Sequence, residues 1–268
     1  METSPCASCG APLQPGFRFC GVCGKPVDAS APTPRHGAPA PASGGAGTGA
    51  RVRATPPPPA ARIRLALLRN DGQPGPTFSV EKDEAICGRT EGDVKLAEDP
   101  TVSPRHARFT LGGGVLRVED LGSVNGTFLR LRDARRISVG EELRVGRQLL
   151  RLEPLPRRAH AENHGVRPWG TKDAGCRFRL SQLLEGGGLG EIFPLREGEN
   201  LVGREAGEVT FPSDRYVSAR HARITVAGAE VTLSDAGSSN GTYVKIAGTT
   251  ELAAGDQVLV GAQLLRVE

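Results

Sequence analysis

Large aromatic and sulfur side chains are scarce in this 268-residue chain: aromatics make up 4% of it, with one Trp, two Tyr and one Met. Large helical cores built on such residues are therefore not expected. Thirty-six Gly and 21 Pro, together about a fifth of the chain, point instead to tight turns, short strands and linkers. No apolar run approaches the ~18–20 residues that a spanning helix needs. The N-terminal METSPCASCG lacks a basic stretch followed by an apolar one, so no secretory leader and a cytoplasmic location are expected. In that compartment paired cysteines act as metal ligands more often than as disulfides. Charge of one sign is also missing in concentrated form. The net charge is +4, and no segment is basic enough to announce nucleic acid by charge alone.

What is present is a repeat. Residues 102–111 read VSPRHARFTL and residues 217–226 read VSARHARITV, with seven of ten letters identical at an offset of 115. The offset also carries Gly88-Arg89 onto Gly203-Arg204, Asn125-Gly126-Thr127 onto Asn240-Gly241-Thr242, and Gly146 onto Gly261. A constant period marks two copies of one domain. Alternate apolar positions recur between the copies: Leu116 and Val118 match Val231 and Leu233, with Arg117 and Glu119 on the other face. Short apolar runs broken by Gly, Asp, Asn and Pro, without a 3.6-residue period, predict an all-β chain of two sandwiches, at 61–155 and 175–268. Residues 156–174 read as a linker. Treated as a flexible coil, they would hold the sandwiches roughly 25 Å apart.

Two further segments precede the repeats. In residues 1–27, Cys6-x2-Cys9 and Cys20-x2-Cys23 are each followed by glycine. Such knuckles face four thiolates toward one cation, and four thiolates suit a closed, tetrahedral, structural Zn2+ site. A segment this short would depend on the metal to fold, and the pattern looks like a small zinc ribbon. Residues 28–60, rich in Ala, Pro, Gly, Ser and Thr and ending in Pro56-Pro57-Pro58-Pro59, read as a disordered tether.

Beyond core positions, the copies share donors for phosphate oxygens. The first presents Arg89, then Ser103 and Arg105, then Asn125; the second presents Arg204, then Ser218 and Arg220, then Ser239 and Asn240. An arginine offers a permanently charged planar fork, and a phosphate monoester brings nearly two negative charges and three acceptor oxygens. Gly-Arg, Ser-x-x-His fourteen residues on and a later Asn-Gly, seen twice in register, resemble the forkhead-associated (FHA) domain over nearly all of both repeats. The resemblance implies eleven-stranded sandwiches whose loops at one end bind phosphothreonine peptides. It also implies that Asn125 and Asn240 hold the peptide backbone, and that His106 and His221 brace the loops rather than catalyse. Before the asparagine the family usually has Ser or Thr. Ser239 fits, whereas Val124 leaves the first site a donor short. Pro104 and Ala219 depart from the basic residue often found after the serine.

Other signals are weaker. His160-x3-His164 lacks the glutamate of a zinc peptidase, and Gly186–Gly190 lacks the Gly-Lys-Ser/Thr of a nucleotide-binding loop. Arg130, Arg132, Arg135 and Arg136 read as a solvated loop, and Cys87 as core. No nucleophile or open metal site points to an enzyme. The sequence thus predicts a non-enzymatic adaptor docking threonine-phosphorylated proteins of a Ser/Thr kinase pathway, with no membrane partner. The alternative is a zinc-ribbon nucleic-acid-binding regulator controlled by its FHA modules.

Overall fold

The structure, a computed structural model, describes residues 63–69, 73–156, 165–166, 169–172 and 174–268. The cysteine segment 1–27, the tether 28–60 and part of the 156–174 linker lie outside the described residues. The described strands belong to one compact unit, Pro57–Glu268. Among the described residues there is no helix, so none is long and apolar enough to cross a membrane.

Among the described residues each repeat contributes ten strands, against the eleven per sandwich that the resemblance implies. The first supplies β1 (Ile63–Leu68), β2 (Pro74–Val80), β3 (Glu84–Gly88), β4 (Val94–Lys95), β5 (Ala107–Gly112), β6 (Val115–Asp120), β7 (Thr127–Arg130), β8 (Arg135–Ile137), β9 (Glu142–Val145) and β10 (Gln148–Pro154). The second supplies β11 (Phe178–Leu183), β12 (Leu189–Leu195), β13 (Gly198–Gly203), β14 (Val209–Thr210), β15 (Ala222–Ala227), β16 (Glu230–Asp235), β17 (Thr242–Lys245), β18 (Thr249–Leu252), β19 (Gln257–Val260) and β20 (Gln263–Val267). The alternation read from the sequence holds: Leu116, Val118, Val231 and Leu233 are buried, while Arg117 and Glu119 lie on the half-exposed face. The β5–β6 hairpin turns on Gly113-Gly114, both at positive φ, which the tight two-residue turn requires.

The two sequence copies do not each close a sandwich of their own. β8, β9 and β10 of the first copy join the second copy's strands: β8 pairs with β16, β9 with β17, and β10 with β11. In return β18 pairs with β6, β19 with β7, and β20 with β1. The result is one ten-stranded sheet, in the order β12-β11-β10-β9-β17-β7-β19-β20-β1-β2, and two five-stranded sheets. The cores follow the exchange. Val258, Val260, Leu265 and Val267 are buried with Leu65, Phe109 and Val118. Leu143, Val145, Leu150 and Leu152 are buried with Leu180, Ile224 and Leu233. The stretches 61–155 and 175–268 are therefore units of repetition, but each sandwich draws on both. The sandwiches are also fused through a shared sheet, not only tethered by the linker.

The local cause lies after β7 and β17. These strands run antiparallel to each other, with Leu129 opposite Val244. The ladder extends through Leu131 N–H to Thr242 C=O (2.8 Å) and Ile246 N–H to Thr127 C=O (2.9 Å). The chain leaving each strand thus already lies along the other repeat, and only 131–134 or 246–248 intervene before the next strand. Arg132 pairs with Asp256 (2.6 Å), and Arg136 with Glu230 (2.6 Å). The arginine cluster read as a solvated loop is the crossover itself.

Exchange makes a distinctive prediction. Leu150 belongs to the first copy in sequence but is fully buried in the second copy's core. Leu150→Ala, expected to cost about 2–5 kcal/mol, should raise hydrogen exchange most in β13, β15 and β16. A loss of protection concentrated in β3, β5 and β6 would show that each copy folds on its own.

Candidate functional site

At one end of each sandwich three loops converge: β3–β4, β4–β5 and β6–β7, with β13–β14, β14–β15 and β16–β17 in the second copy. Gly88 and Gly203 allow the first two loops to touch. A Cβ on either would lie 2.1 or 2.2 Å from the carbonyl oxygen of Pro104 or Ala219. The next residue, Arg89 or Arg204, then bonds its N–H to the Ser103 or Ser218 carbonyl at 3.0 Å. Ser103 Oγ accepts the N–H of Val124, and Ser218 Oγ that of Ser239, both at 3.1 Å. Each serine keeps its hydroxyl proton to donate. Asn125 Nδ2 donates to Thr101 C=O (2.7 Å) and Asn240 Nδ2 to Tyr216 C=O (2.8 Å), leaving an amide oxygen and a second N–H on an exposed side chain. Arg105 and Arg220 are exposed at the rim. The structure therefore gathers each predicted set into one loop cluster, with the same bonds in both copies.

The histidines are fully buried beneath these loops. His221 Nδ1 faces the Ser218 N–H (3.0 Å) and Nε2 faces the Gly241 carbonyl (3.0 Å); His106 does the same with Ser103 and Gly126 at 3.1 Å each. Those partners assign the neutral tautomer with the proton on Nε2, so both nitrogens are committed to bracing. Burial pushes His221 below the usual histidine value.

Two carboxylates that sequence reading missed hold each cluster. Asp120 Oδ2 accepts the hydroxyls of Ser123 (2.7 Å) and Thr127 (2.6 Å), and Asp235 does so for Ser238 and Thr242, both at 2.6 Å. Asp99 and Asp214 fasten each site to the other repeat's last hairpin. Asp99 Oδ2 accepts Ala262 N–H (2.9 Å) and Gln263 Nε2 (3.1 Å), while Asp214 Oδ2 accepts Arg147 N–H and Gln148 Nε2, both at 2.8 Å. Gly146 and Gly261, at positive φ, let these hairpins press in: a Cβ there would lie 2.7 Å from the side chain of Val217 or Val102. Burial alone would raise Asp214, but its hydrogen bonds to Gln148, Arg147 and Tyr216 outweigh that and hold it below the usual carboxylate value. The 115-residue offset, which maps Asp99 onto Asp214 and Asp120 onto Asp235, was the one signal that could have found them.

The sites differ in the groups they leave for a ligand. Val124, 89% exposed, stands where Ser239 offers a hydroxyl. Buried Nε of Arg89 has no hydrogen-bond partner. Arg204, in contrast, is engaged by Glu205, Nη2 at 2.7 Å and Nε at 3.3 Å, where the first copy has Thr90. Cys87, in the core beside the first site, is pushed up to about 12 by burial and is an inert thiol. Among the described residues no cluster of His, Cys, Asp and Glu could hold a metal.

Comparison with known proteins adds the following. The family model of the FHA domain matches residues 86–149 and 200–261. The chain is 32% identical over 83 residues to the FHA domain-containing protein FhaB of Mycobacterium tuberculosis, covering 30% of this chain and 54% of that protein. It is 34% identical over 86 residues to the oxoglutarate dehydrogenase inhibitor of Corynebacterium glutamicum, covering 31% and 59%. The matched region thus spans little more than half the length of these relatives. A solved structure from work on phosphothreonine-dependent FHA domain interactions is 33% identical, over 34% of this chain and 95% of that one, with a TM-score of 0.22.

The latch yields a prediction with a pH signature. Because Asp214 is held below its usual value, its stabilisation is present above the unfolded value near about 3.9 and is lost as pH falls through the lower folded value. Asp214→Asn should cost about 1.5–3 kcal/mol at pH 7, and its deficit against wild type should shrink in acid. Urea titrations at both pH values check this; a deficit independent of pH would mean that the ionised carboxylate is not what holds the hairpin.

Proposed function

Taking the chain as one that carries two FHA domains, we propose that it is a non-enzymatic adaptor docking threonine-phosphorylated partners of a Ser/Thr kinase pathway. The observation that carries this reading is the twofold loop cluster, in which Arg89, Ser103, Arg105 and Asn125, and Arg204, Ser218, Arg220, Ser239 and Asn240, surround one end of each sandwich. The arginine fork and the serine hydroxyl supply charge-assisted bonds to phosphate oxygens. The asparagine has an amide oxygen and N–H left for a peptide backbone. His106 and His221, with both nitrogens engaged, are not available as proton carriers. A cytoplasmic location belongs to the same proposal.

Magnitudes rank the two sites. The hydroxyl of Ser239, missing at Val124, is worth about 1.5–3 kcal/mol against a charged ligand. The exposed Arg204–Glu205 pair that a phosphate must displace is worth ~0–1 kcal/mol. The second site is therefore the stronger one. Calorimetry with a phosphothreonine peptide should find that Arg204→Ala removes more affinity than Arg89→Ala, and that Glu205→Thr tightens the second site by up to about fivefold. Equal losses from the two arginine variants would overturn the ranking, and no loss from either would overturn the function.

The N-terminal cysteines complete the proposal. Cys6, Cys9, Cys20 and Cys23 would hold one structural Zn2+ as a small ribbon, on the strength of their paired spacing. Elemental analysis should find one zinc per chain, lost in a Cys20→Ser/Cys23→Ser double variant. Metal-free protein from zinc-supplied cells would rule the ribbon out.

A further inference from the structure

Beside the second site, a groove of about 430 Å3 runs from Ser239 and Asn240 across the outer face of the ten-stranded sheet. Five arginines line it, Arg69, Arg130, Arg144, Arg147 and Arg266, and no acidic residue does. Four of these come from the first copy, whereas the asparagine loop belongs to the second. The groove exists only because the repeats are exchanged and their sheets fused.

Its charge is not a requirement of the fold, because the molecule contains the control. The 115-residue offset carries Arg130 onto Lys245, Gln257 onto Glu142 and Arg266 onto Arg151. Around the first site, Glu142 stands between Lys245 Nζ (3.0 Å) and Arg151 Nη2 (2.7 Å) and offsets one of their two charges. Around the second site that carboxylate is Gln257, which accepts from Arg130 Nη1 at 2.8 Å and carries no charge. The positions matching Arg69, Arg144 and Arg147 are Leu184, Leu259 and Ala262. The same surface thus holds two cations with a carboxylate between them beside one site, and five arginines with no carboxylate in the lining beside the other.

The arginines are also held in place. Arg144 donates to the carbonyls of Gly261 (3.0 Å) and Gly146 (3.2 Å), and the Arg147 guanidinium lies 4.7 Å from the Tyr216 ring centroid. Arg266 alone in the set bonds an acidic side chain, Glu268, at 2.6 Å. Buried Asp99 and Asp214 lie beneath, already committed to the hairpin turns. Guanidinium groups fixed by carbonyls and a ring keep their remaining N–H donors for an outside anion, and their planar forks fit carboxylate or phosphate oxygens in pairs.

We propose that this groove binds an acidic stretch of the same partner polypeptide whose phosphothreonine occupies the second site, reading Asp, Glu or further phosphorylated side chains beside it. The inference rests on the phosphothreonine reading of that site. It makes the second domain selective for phosphothreonines in acidic surroundings and leaves the first indifferent to them.

The test uses the full-length protein and fluorescent phosphothreonine peptides extended by roughly six residues, about 20 Å when extended, on one side or the other. The extensions are Gly/Ser, Asp/Glu, or Gly/Ser with one phosphoserine. An Arg89→Ala background isolates the second site. At least one acidic extension should tighten binding about tenfold at low ionic strength, with the gain shrinking as salt is added. The phosphoserine arm tells whether a single phosphate suffices. Arg69→Gln/Arg266→Gln should abolish the gain while leaving the Gly/Ser peptide unchanged. Gln257→Glu, which installs the carboxylate found on the other side, should reduce the gain without removing any arginine. If the Gly/Ser peptide itself ignores Arg204→Ala, the phosphothreonine reading fails. If it binds through Arg204 but neither acidic extension gains, or the gain survives in both groove variants, the groove proposal is wrong. A single-stranded oligonucleotide that binds through Arg69 and Arg266, with no preference for acidic peptides, would assign the groove to nucleic acid and overturn it as well.

Discussion

The antiparallel contact of β7 with β17 is the constraint from which the remaining architecture follows. It is a short ladder, yet it sets the direction in which both chains leave. Once Leu131 and Ile246 have extended it, the following strands can only add to the opposite repeat. Each sandwich then receives a hairpin with several fully buried aliphatic side chains, each worth roughly 1.5–3 kcal/mol. The sum is comparable to the whole net stability of a typical domain. Neither half is expected to be stable without the other's contribution.

That dependence reaches the loops. The donor residues of each cluster come from one repeat, but the loop carrying Asp99 or Asp214 is fastened to a hairpin turn from the other. A fully buried histidine, a carboxylate bonded to two hydroxyls and a glycine that admits close approach repeat at both ends. Donors held in this way would lose little freedom on binding an anion, so the proposed affinity would gain from preorganisation. The fused sheet also fixes the two sites relative to each other. Bivalent partners would be selected by spacing rather than gathered by a loose tether.

Pseudo-symmetry lets the two sites serve as controls for each other. Their shared bonds mark what the loop cluster needs to form. Their differences, at Val124 and Ser239, Thr90 and Glu205, and Glu142 and Gln257, mark where binding can diverge without disturbing the fold. The first two pairs are exposed and the third is half-buried, and each change alters one donor or one charge. Such changes are tolerated because the core and the latches do not depend on them.

Much of this was legible in the chain itself. Alternation of apolar residues predicted β-structure, because a strand half-buried in a sandwich must place every second side chain in the core. The 115-residue offset named the loop residues, because bonds such as Asn125 to Thr101 and Asn240 to Tyr216 are made within one copy at a fixed separation. The crossover was not legible. Leu150 satisfies the same pattern whether it packs against its own copy or the other, since burial is blind to which chain segment supplies the neighbour. The Arg130–Arg136 cluster read as a solvated loop for the same reason: charge in sequence does not say what the charge will face. Local pattern thus determined the strands, the turns and the donor sets of this protein. Only the tertiary structure decided which repeat completes which sandwich, and so brought five arginines of the two copies onto one face beside the second site.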